Sequence, residues 1–234
     1  MKWQCALCDA TERGTKPSLC SQCGAVDSFL PLALAPSAFV RASDVRPSNV
    51  KPLPTGDKEL DAILAGGFPP KTRVLLWGKG GSGKSRCALR WATRLGKALA
   101  VSLEMDEELC ARTAREAGAR IGNLLITRDE QAQIPTRGVA AVVLDSISEC
   151  SNQEEVCERL SAWAQQTGGV VFMVCHATKS GQYRGPSTLQ HWGDVEMQVS
   201  ASRRQPGSAR VRVNKSRICP LGSAVVPLVA LHSV

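Results

Sequence analysis

The chain has 234 residues with 29 Lys and Arg against 21 Asp and Glu, a formal net charge of +8, and 43% of its residues are hydrophobic. This is the composition of a packed globular protein with room for one core and a small appendage, and it excludes a disordered tail. The longest apolar run, residues 30–40, is broken by Pro31 and Pro36 and falls well short of the roughly 20 residues a membrane helix needs; with no apolar h-region at the N-terminus, the expectation is a cytoplasmic protein that contacts no membrane.

Residues 1–28 contain Cys5, Cys8, Cys20 and Cys23 in the pattern C-x2-C-x11-C-x2-C. Two such knuckles have the spacing of a zinc ribbon, in which four thiolates hold one tetrahedral Zn²⁺. A segment of this size cannot bury enough surface to fold unaided, so the metal would supply most of its folding energy. Four thiolates leave no open coordination position, which makes the zinc structural and not catalytic. The other six cysteines are scattered singly and read as small buried hydrophobes. Residues 29–54 follow, with prolines at 31, 36, 47, 52 and 54, as an extended, semi-rigid linker.

From Thr55 to the end the pattern is that of an α/β domain. Strands are expected at 73–77, 98–102, 124–126, 139–144 and 170–174, with helices at 84–95, 106–117 and 153–166 between them. After a long loop containing Gly and Pro, further strands are expected at 195–199, 210–213 and 224–229. Continuous apolar strands alternating with helices imply a mainly parallel sheet covered on both faces.

Between the first of these strands and its helix lies Gly78-Lys79-Gly80-Gly81-Ser82-Gly83-Lys84-Ser85, which matches the phosphate-loop pattern G-x-x-x-x-G-K-[ST]. Its glycines let backbone N–H groups curl around phosphate oxygens at a helix N-terminus; Lys84 would reach the β- and γ-phosphates of ATP, and Ser85 would ligate Mg²⁺. The strand 139–144 runs into Asp145, a carboxylate positioned to hold the Mg²⁺ beside the phosphate loop. Hydrolysis also needs a carboxylate to orient or deprotonate water. Glu104, just after strand 98–102, is a candidate, as are Asp106, Glu107 and Glu108, which equally suit the first turn of a helix. His176, His191 and Trp163 read as structural residues. Cys175 beside His176 is no nucleophile pair, because neighbours on a strand face opposite ways. Eight basic residues against Asp194 and Glu196 lie between Lys179 and Arg217, a net of +6 that suits either a polyanionic partner or a solvated surface.

Ribbon, linker and phosphate-loop domain, in this order, resemble the bacterial RadA/Sms family of DNA-repair ATPases, relatives of RecA. Thr55-Gly-Asp-Lys-Glu-Leu-Asp61 with Leu64-Ala-Gly-Gly67 is similar to the family's TG-x-x-ELD-x-x-LGGG stretch. Val101-Ser-Leu-Glu104 sits where the family has G-E-E, and Leu144-Asp-Ser-Ile147 is similar to its DSIQT strand. His176-Ala-Thr-Lys179-Ser-Gly181 and Gly185-Pro186 through Asp194 follow H-x-TK-x-G…GP-x-x-LEH-x-VD. Lys215-Ser-Arg217-Ile-Cys219 resembles a degenerate KNRFG box. The resemblance covers residues 5–230 and does not include the family's Lon-protease-like C-terminal domain.

It implies a RecA-like core over 55–234 and a catalytic role for Glu104. It also implies that Lys215 and Arg217 act on a neighbouring subunit's nucleotide, and that the loop carrying Lys179 and Arg184 faces DNA. The activity implied is a DNA-dependent ATPase, with ATP, Mg²⁺ and Zn²⁺ as cofactors, working on single-stranded DNA in repair and recombination. A homo-oligomer, in the family a hexameric ring, is implied together with a recombinase or helicase partner. Three other readings stand beside this one: a nucleotide-dependent switch ATPase of the clock type that acts on protein partners, a DNA-binding adaptor with a decayed ATPase, and a small-molecule kinase.

Overall fold

A computed structural model describes residues 2–8, 10–31, 51–177, 187–203 and 205–229. The chain divides into two compact units, Met1–Asn49 and Val50–Val234. In the first, β1 (Lys2–Cys5) pairs antiparallel with β2 (Thr11–Arg13) and with β3 (Phe29–Pro31), in the order β2-β1-β3. Its buried apolar set is Phe29 with Cys5 and Cys20, with Trp3 packed alongside. Among the described residues, one fully buried aromatic ring and two cysteines make only a small core. The two knuckles bring their four thiol sulfurs within 4.8 Å of one another, close enough to share one metal ion.

The second unit is built on an eight-stranded sheet. Its elements in chain order are α1 (Lys58–Ile63), β4 (Arg73–Gly78), α2 (Lys84–Leu95), β5 (Ala98–Ser102), α3 (Glu107–Glu116), β6 (Leu124–Thr127), β7 (Ala141–Asp145), α4 (Gln153–Thr167), β8 (Val170–His176), α5 (Ser187–Trp192), β9 (Val195–Ala201), β10 (Ser208–Ser216) and β11 (Gly222–Pro227). The strand order is β11-β10-β9-β4-β8-β7-β5-β6. From β9 to β6 every neighbouring pair is parallel, whereas β10 and β11 extend the sheet antiparallel.

Helices cover both faces of the parallel part, which is why β4, β5, β7 and β8 read as unbroken apolar runs. One face packs on α1, α2 and α3 through Leu60, Leu89, Trp91 and Cys110, and the other on α4 and α5 through Leu160, Trp163 and Leu189. Phe172 of β8 meets Phe68 edge to face at 5.3 Å beneath Trp91. Side chains set the helix starts: Asp106 accepts from Leu109 N at 2.7 Å at the head of α3, and Asn152 accepts from Glu155 N at 3.2 Å at the head of α4. Each satisfies an amide with no partner inside its helix.

The expected strands and helices of this unit are all present, with shifted ends: β7 begins at Ala141 and includes Asp145. Two helices, α1 and α5, lie outside the sequence expectation, each of six residues. Neither is long enough to show an apolar period. The start of α1 is held by side-chain bonds to the turn before it, with Asp61 accepting from Thr55 N and Oγ1 at 2.7 Å each and from Gly56 N at 3.1 Å. Asp57 takes the indole N–H of Trp91 at 2.6 Å and pairs with buried Arg90.

Candidate functional site: the phosphate-loop cleft

Parallel strands put their carboxyl ends on one edge of a sheet, and that edge is where α/β proteins hold ligands. Here β4 delivers the phosphate loop, β5 leads into Glu104, β7 ends in Asp145 and β8 ends in His176. The four strands are contiguous, so residues far apart in sequence meet in one cleft of about 300 Å³ lined by Gly81, Gly83, Lys84, Ser85, Glu104 and His176 among others.

The loop requires its glycines. A Cβ on Gly78 would stand 2.1 Å from the Val199 carbonyl oxygen of β9. Gly83, at the head of α2, has φ of 96°, in the left-handed region that L side chains avoid, and a Cβ there would meet Leu228 at 2.4 Å. Lys84 is buried, with Nζ donating to the carbonyl oxygens of Gly78 at 3.1 Å and Lys79 at 3.0 Å. Burial lowers its pKa, while the charges of Asp145 and Glu104 act in the opposite direction. The ammonium is thus held inside the curl of the loop.

Asp145 is 2% exposed, and neither carboxylate oxygen has a hydrogen-bond partner of normal geometry among the described residues. Burial raises its pKa, and the nearby negative charge of Glu104 adds to this. The Ser85 hydroxyl and the charges of Lys84 and His176 pull it down without reversing the rise. A buried, unpartnered carboxylate costs free energy in the folded chain. Its place beside a phosphate loop, with the Ser85 hydroxyl nearby, fits a divalent cation, since hard Mg²⁺ takes oxygen ligands and keeps part of its water.

Among the four acidic candidates near β5, Glu104 is the one that enters the cleft. Its Oε1 is in direct contact with Nε2 of His176. Asp106 is engaged as the cap of α3, and Glu107 and Glu108 are exposed on that helix's first turn. His176 reads as a structural residue in the sequence, and the structure instead puts it against Glu104. Strand alternation tells which way a side chain points but not what it meets, so only the neighbouring order of β8, β7 and β5 reveals the pair.

Lys215 and Arg217 lie elsewhere. Strand β10 runs antiparallel to β9, and Lys215 is opposite Glu196, at the end of the sheet away from the phosphate loop of the same chain. Arg217 donates to Asp194 Oδ1 at 3.2 Å and to the His191 carbonyl at 3.3 Å. Asp194 also accepts from Arg73, through Nη2 at 2.9 Å and Nε at 3.0 Å. Despite its burial, the Asp194 carboxyl is held below its usual range by Arg73 and Arg217. Lys179 and Arg184 fall outside the described residues. A larger cleft, about 800 Å³, lies on the α4–α5 face beside Arg73 and Trp192 and contains none of the nucleotide-site candidates.

In the N-terminal unit, sulfur separations are 3.8 Å for Cys5–Cys23 and 3.5 Å for Cys8–Cys20. A tetrahedron with Zn–S bonds of about 2.3 Å has edges of about 3.8 Å, so the cluster matches the size of a zinc shell. The Cys5 thiol, accepting from Ser28, is lowered to about 6, whereas Cys8 is raised to about 12 and Cys23 is raised as well, so it is the spacing of the sulfurs that matches the shell.

No family model matches the chain. It is 30% identical over 217 residues to the DNA repair protein RadA of Mycobacterium tuberculosis, covering 79% of this chain and 45% of that one. Against RadA of Treponema pallidum it is 28% identical over 230 residues, covering 85% and 50%, and against RadA of Escherichia coli 28% identical over 222 residues, covering 84% and 48%. It thus spans about half the length of the curated relatives it matches. The crystal structure of the RadB recombinase aligns with a TM-score of 0.57 at 20% identity, over 74% of this chain and 94% of that one, a likeness of fold.

Proposed function

Because the chain belongs to the RadA family of RecA-like proteins, we propose that it hydrolyses ATP in a DNA-dependent manner, as a motor acting on recombination or repair intermediates. The observation that carries this reading is the convergence of Lys84, Ser85 and Glu104 on one cleft at the carboxyl edge of the sheet, with the Asp145 carboxylate buried next to them. The loop amides from Gly78 to Ser85 cradle the phosphates, and the Lys84 ammonium neutralises charge on the β- and γ-phosphates. Ser85 and Asp145 hold the Mg²⁺, which when bound draws negative charge off the phosphate oxygens. Glu104 orients the attacking water and takes its proton. His176 holds the Glu104 carboxylate in place between turnovers.

Phosphoryl transfer is also helped by a cation that meets charge developing in the transition state. Lys215 and Arg217 are too distant from their own phosphate loop for this, being at the other end of the sheet; the family resemblance implies that they serve a neighbouring copy. The pocket is then completed only in an oligomer, for which a hexameric ring is the family precedent. The N-terminal segment acts as zinc ribbon, with Cys5, Cys8, Cys20 and Cys23 as zinc ligands, and residues 55–234 as motor. The ribbon extends past the expected boundary at 28, since Phe29–Pro31 pair with β1 and Phe29 is buried against Cys5 and Cys20, so the linker expected over 29–54 begins after Pro31. Lys179 and Arg184 would meet single-stranded DNA through its phosphates, in a manner weakened by salt.

The test is an ATPase assay with and without single-stranded oligonucleotide, beside a mass measurement in Mg-ATP. Turnover raised by DNA, together with assembly, is the expected result. Basal turnover that ignores DNA in a strictly monomeric protein would overturn the reading and favour a switch ATPase.

A further inference from the structure

The antiparallel extension of the sheet has one face with no described helix over it. On β10, Ala209, Val211 and Val213 point into the core, and Arg210 and Arg212 alternate with them on the exposed side. Ser200 and Gln198 of β9 stand opposite these two arginines in the pairing register. At the strand ends nearest the phosphate loop, the face opens into a cleft of about 550 Å³ lined by Lys79, Ser200, Ala201, Arg203 and Arg210. Three of these five residues are cations and none is acidic. A second hollow joins this cleft to the backbone of Gly78–Ser82.

Two features set this place apart from the nucleotide cleft. Lys79 lines it, and does not line the cleft that holds Lys84, Glu104 and His176. Among the described residues, no carboxylate pairs with Lys79, Arg203, Arg210 or Arg212. Glu196, the acidic residue of β9, is buried and accepts from the Trp77 indole at 2.8 Å, so it does not neutralise them. Some other arginines of this unit are paired, Arg73 and Arg217 with Asp194, Arg86 with Glu116, Arg90 and Arg94 with Asp57. Others such as Arg112 and Arg128 are not paired with a described carboxylate, so what distinguishes this place is the gathering of its cations on one face of two paired strands.

We propose that Lys79, Arg203, Arg210 and Arg212 form a second nucleic-acid contact surface, on the open face of β9 and β10, that tracks the phosphate backbone of a single strand. The inference rests on the DNA-dependent reading above but places contacts outside the loop bearing Lys179 and Arg184. Charge and spacing together favour a polymer over a single anion. Residues two apart on a strand stand about 6.8 Å from each other, so Arg210 and Arg212, with Arg203 beyond them, form a row of cations and not one convergent cup. The hydroxyl of Ser200 and the amide of Gln198, opposite the two arginines on β9, suit phosphate oxygens, which side chains of this type commonly contact. Among the described residues the cleft has no aromatic lining on which bases could stack, so binding here is by charge, indifferent to sequence and sensitive to salt.

The experiment measures binding of the full chain to a fluorescent oligo-dT by anisotropy across a series of NaCl concentrations, for the wild type, the double variant Arg203→Gln/Arg210→Gln and the charge-preserving Arg210→Lys. Removing one cation–phosphate interaction should reduce the slope of log K against log salt by about 0.7. The double variant is therefore expected to have a slope shallower by about 1.4 and to bind more weakly at low salt, with Arg210→Lys close to wild type and DNA-free ATP turnover unchanged. Equal slopes and affinities in wild type and double variant would overturn the surface and leave the DNA reading standing. A double variant that binds DNA normally but no longer assembles would assign the face to a second copy of the chain, and so overturn the proposal too. Failure of the wild type to bind oligo-dT at all would bring down both.

Discussion

Replacing Asp145 with Asn should make the protein more stable and less able to bind Mg-nucleotide. In the folded chain the Asp145 carboxylate is buried without a hydrogen-bond partner of normal geometry among the described residues. Leaving a buried polar group unsatisfied costs about 1–3 kcal/mol, and more when it is charged. Lys84 and the Ser85 hydroxyl offset part of this. Asn keeps the shape and removes the charge, so a gain of about 1–2 kcal/mol is expected. For a unit of this size that raises Tm by roughly 2–4 °C per kcal/mol.

The pH dependence has a definite sign. Because the folded-state pKa of Asp145 is raised, the folded chain takes up this proton more readily than the unfolded chain. The charged group therefore opposes folding above the folded pKa, and stability returns as pH falls through it. The Asn variant has no such proton to take up, so its advantage over the wild type should shrink on acidification. In Mg-ATP the order reverses: the wild type gains about 2.7 kcal/mol at 100 times Kd, and the variant gains far less. Thermal melts in Mg²⁺-free and Mg-ATP buffers at two pH values check all of this. A variant that melts at or below the wild type in Mg²⁺-free buffer refutes the picture of an uncompensated carboxylate awaiting a cation.

Glu104→Gln should reduce kcat by about 10²–10⁴-fold with nucleotide affinity retained in a fluorescent-ATP titration, and His176→Ala should reduce kcat by up to about 10²-fold, as loss of alignment does. Arg217→Ala should abolish turnover, by the roughly 10³–10⁵-fold associated with an arginine finger, while ATP still binds. Its half-exposed pair with Asp194 is worth only about 0–1 kcal/mol, so a large fall in Tm with turnover intact would mark Arg217 as structural. Removal of zinc should free four reactive thiols and unfold the N-terminal unit while the melt of the remaining chain is unchanged; an ordered N-terminal unit in metal-free protein, seen by amide exchange, would contradict the zinc reading.

The glycine loop, the paired cysteines and the buried strands were legible in the sequence because each is a local property. Gly78–Ser85 is a contiguous loop, C-x2-C keeps two thiols within one turn, and β4, β5, β7 and β8 are apolar because both their faces are covered. Strand order is not local, and everything that depends on it had to come from the folded chain. The placement of β8 between β4 and β7 brings His176 onto Glu104 across 72 positions of sequence and separates Glu104 from the neighbouring acids. The reversal at β10 carries Lys215 and Arg217 to the far end of the sheet, which decides that they cannot serve their own phosphate loop. The same reversal leaves one face of the extended sheet without a described helix and gathers on it arginines that no described carboxylate pairs. Local patterns set which backbone each segment adopts, whereas hydrogen bonding between distant strands sets which side chains become neighbours.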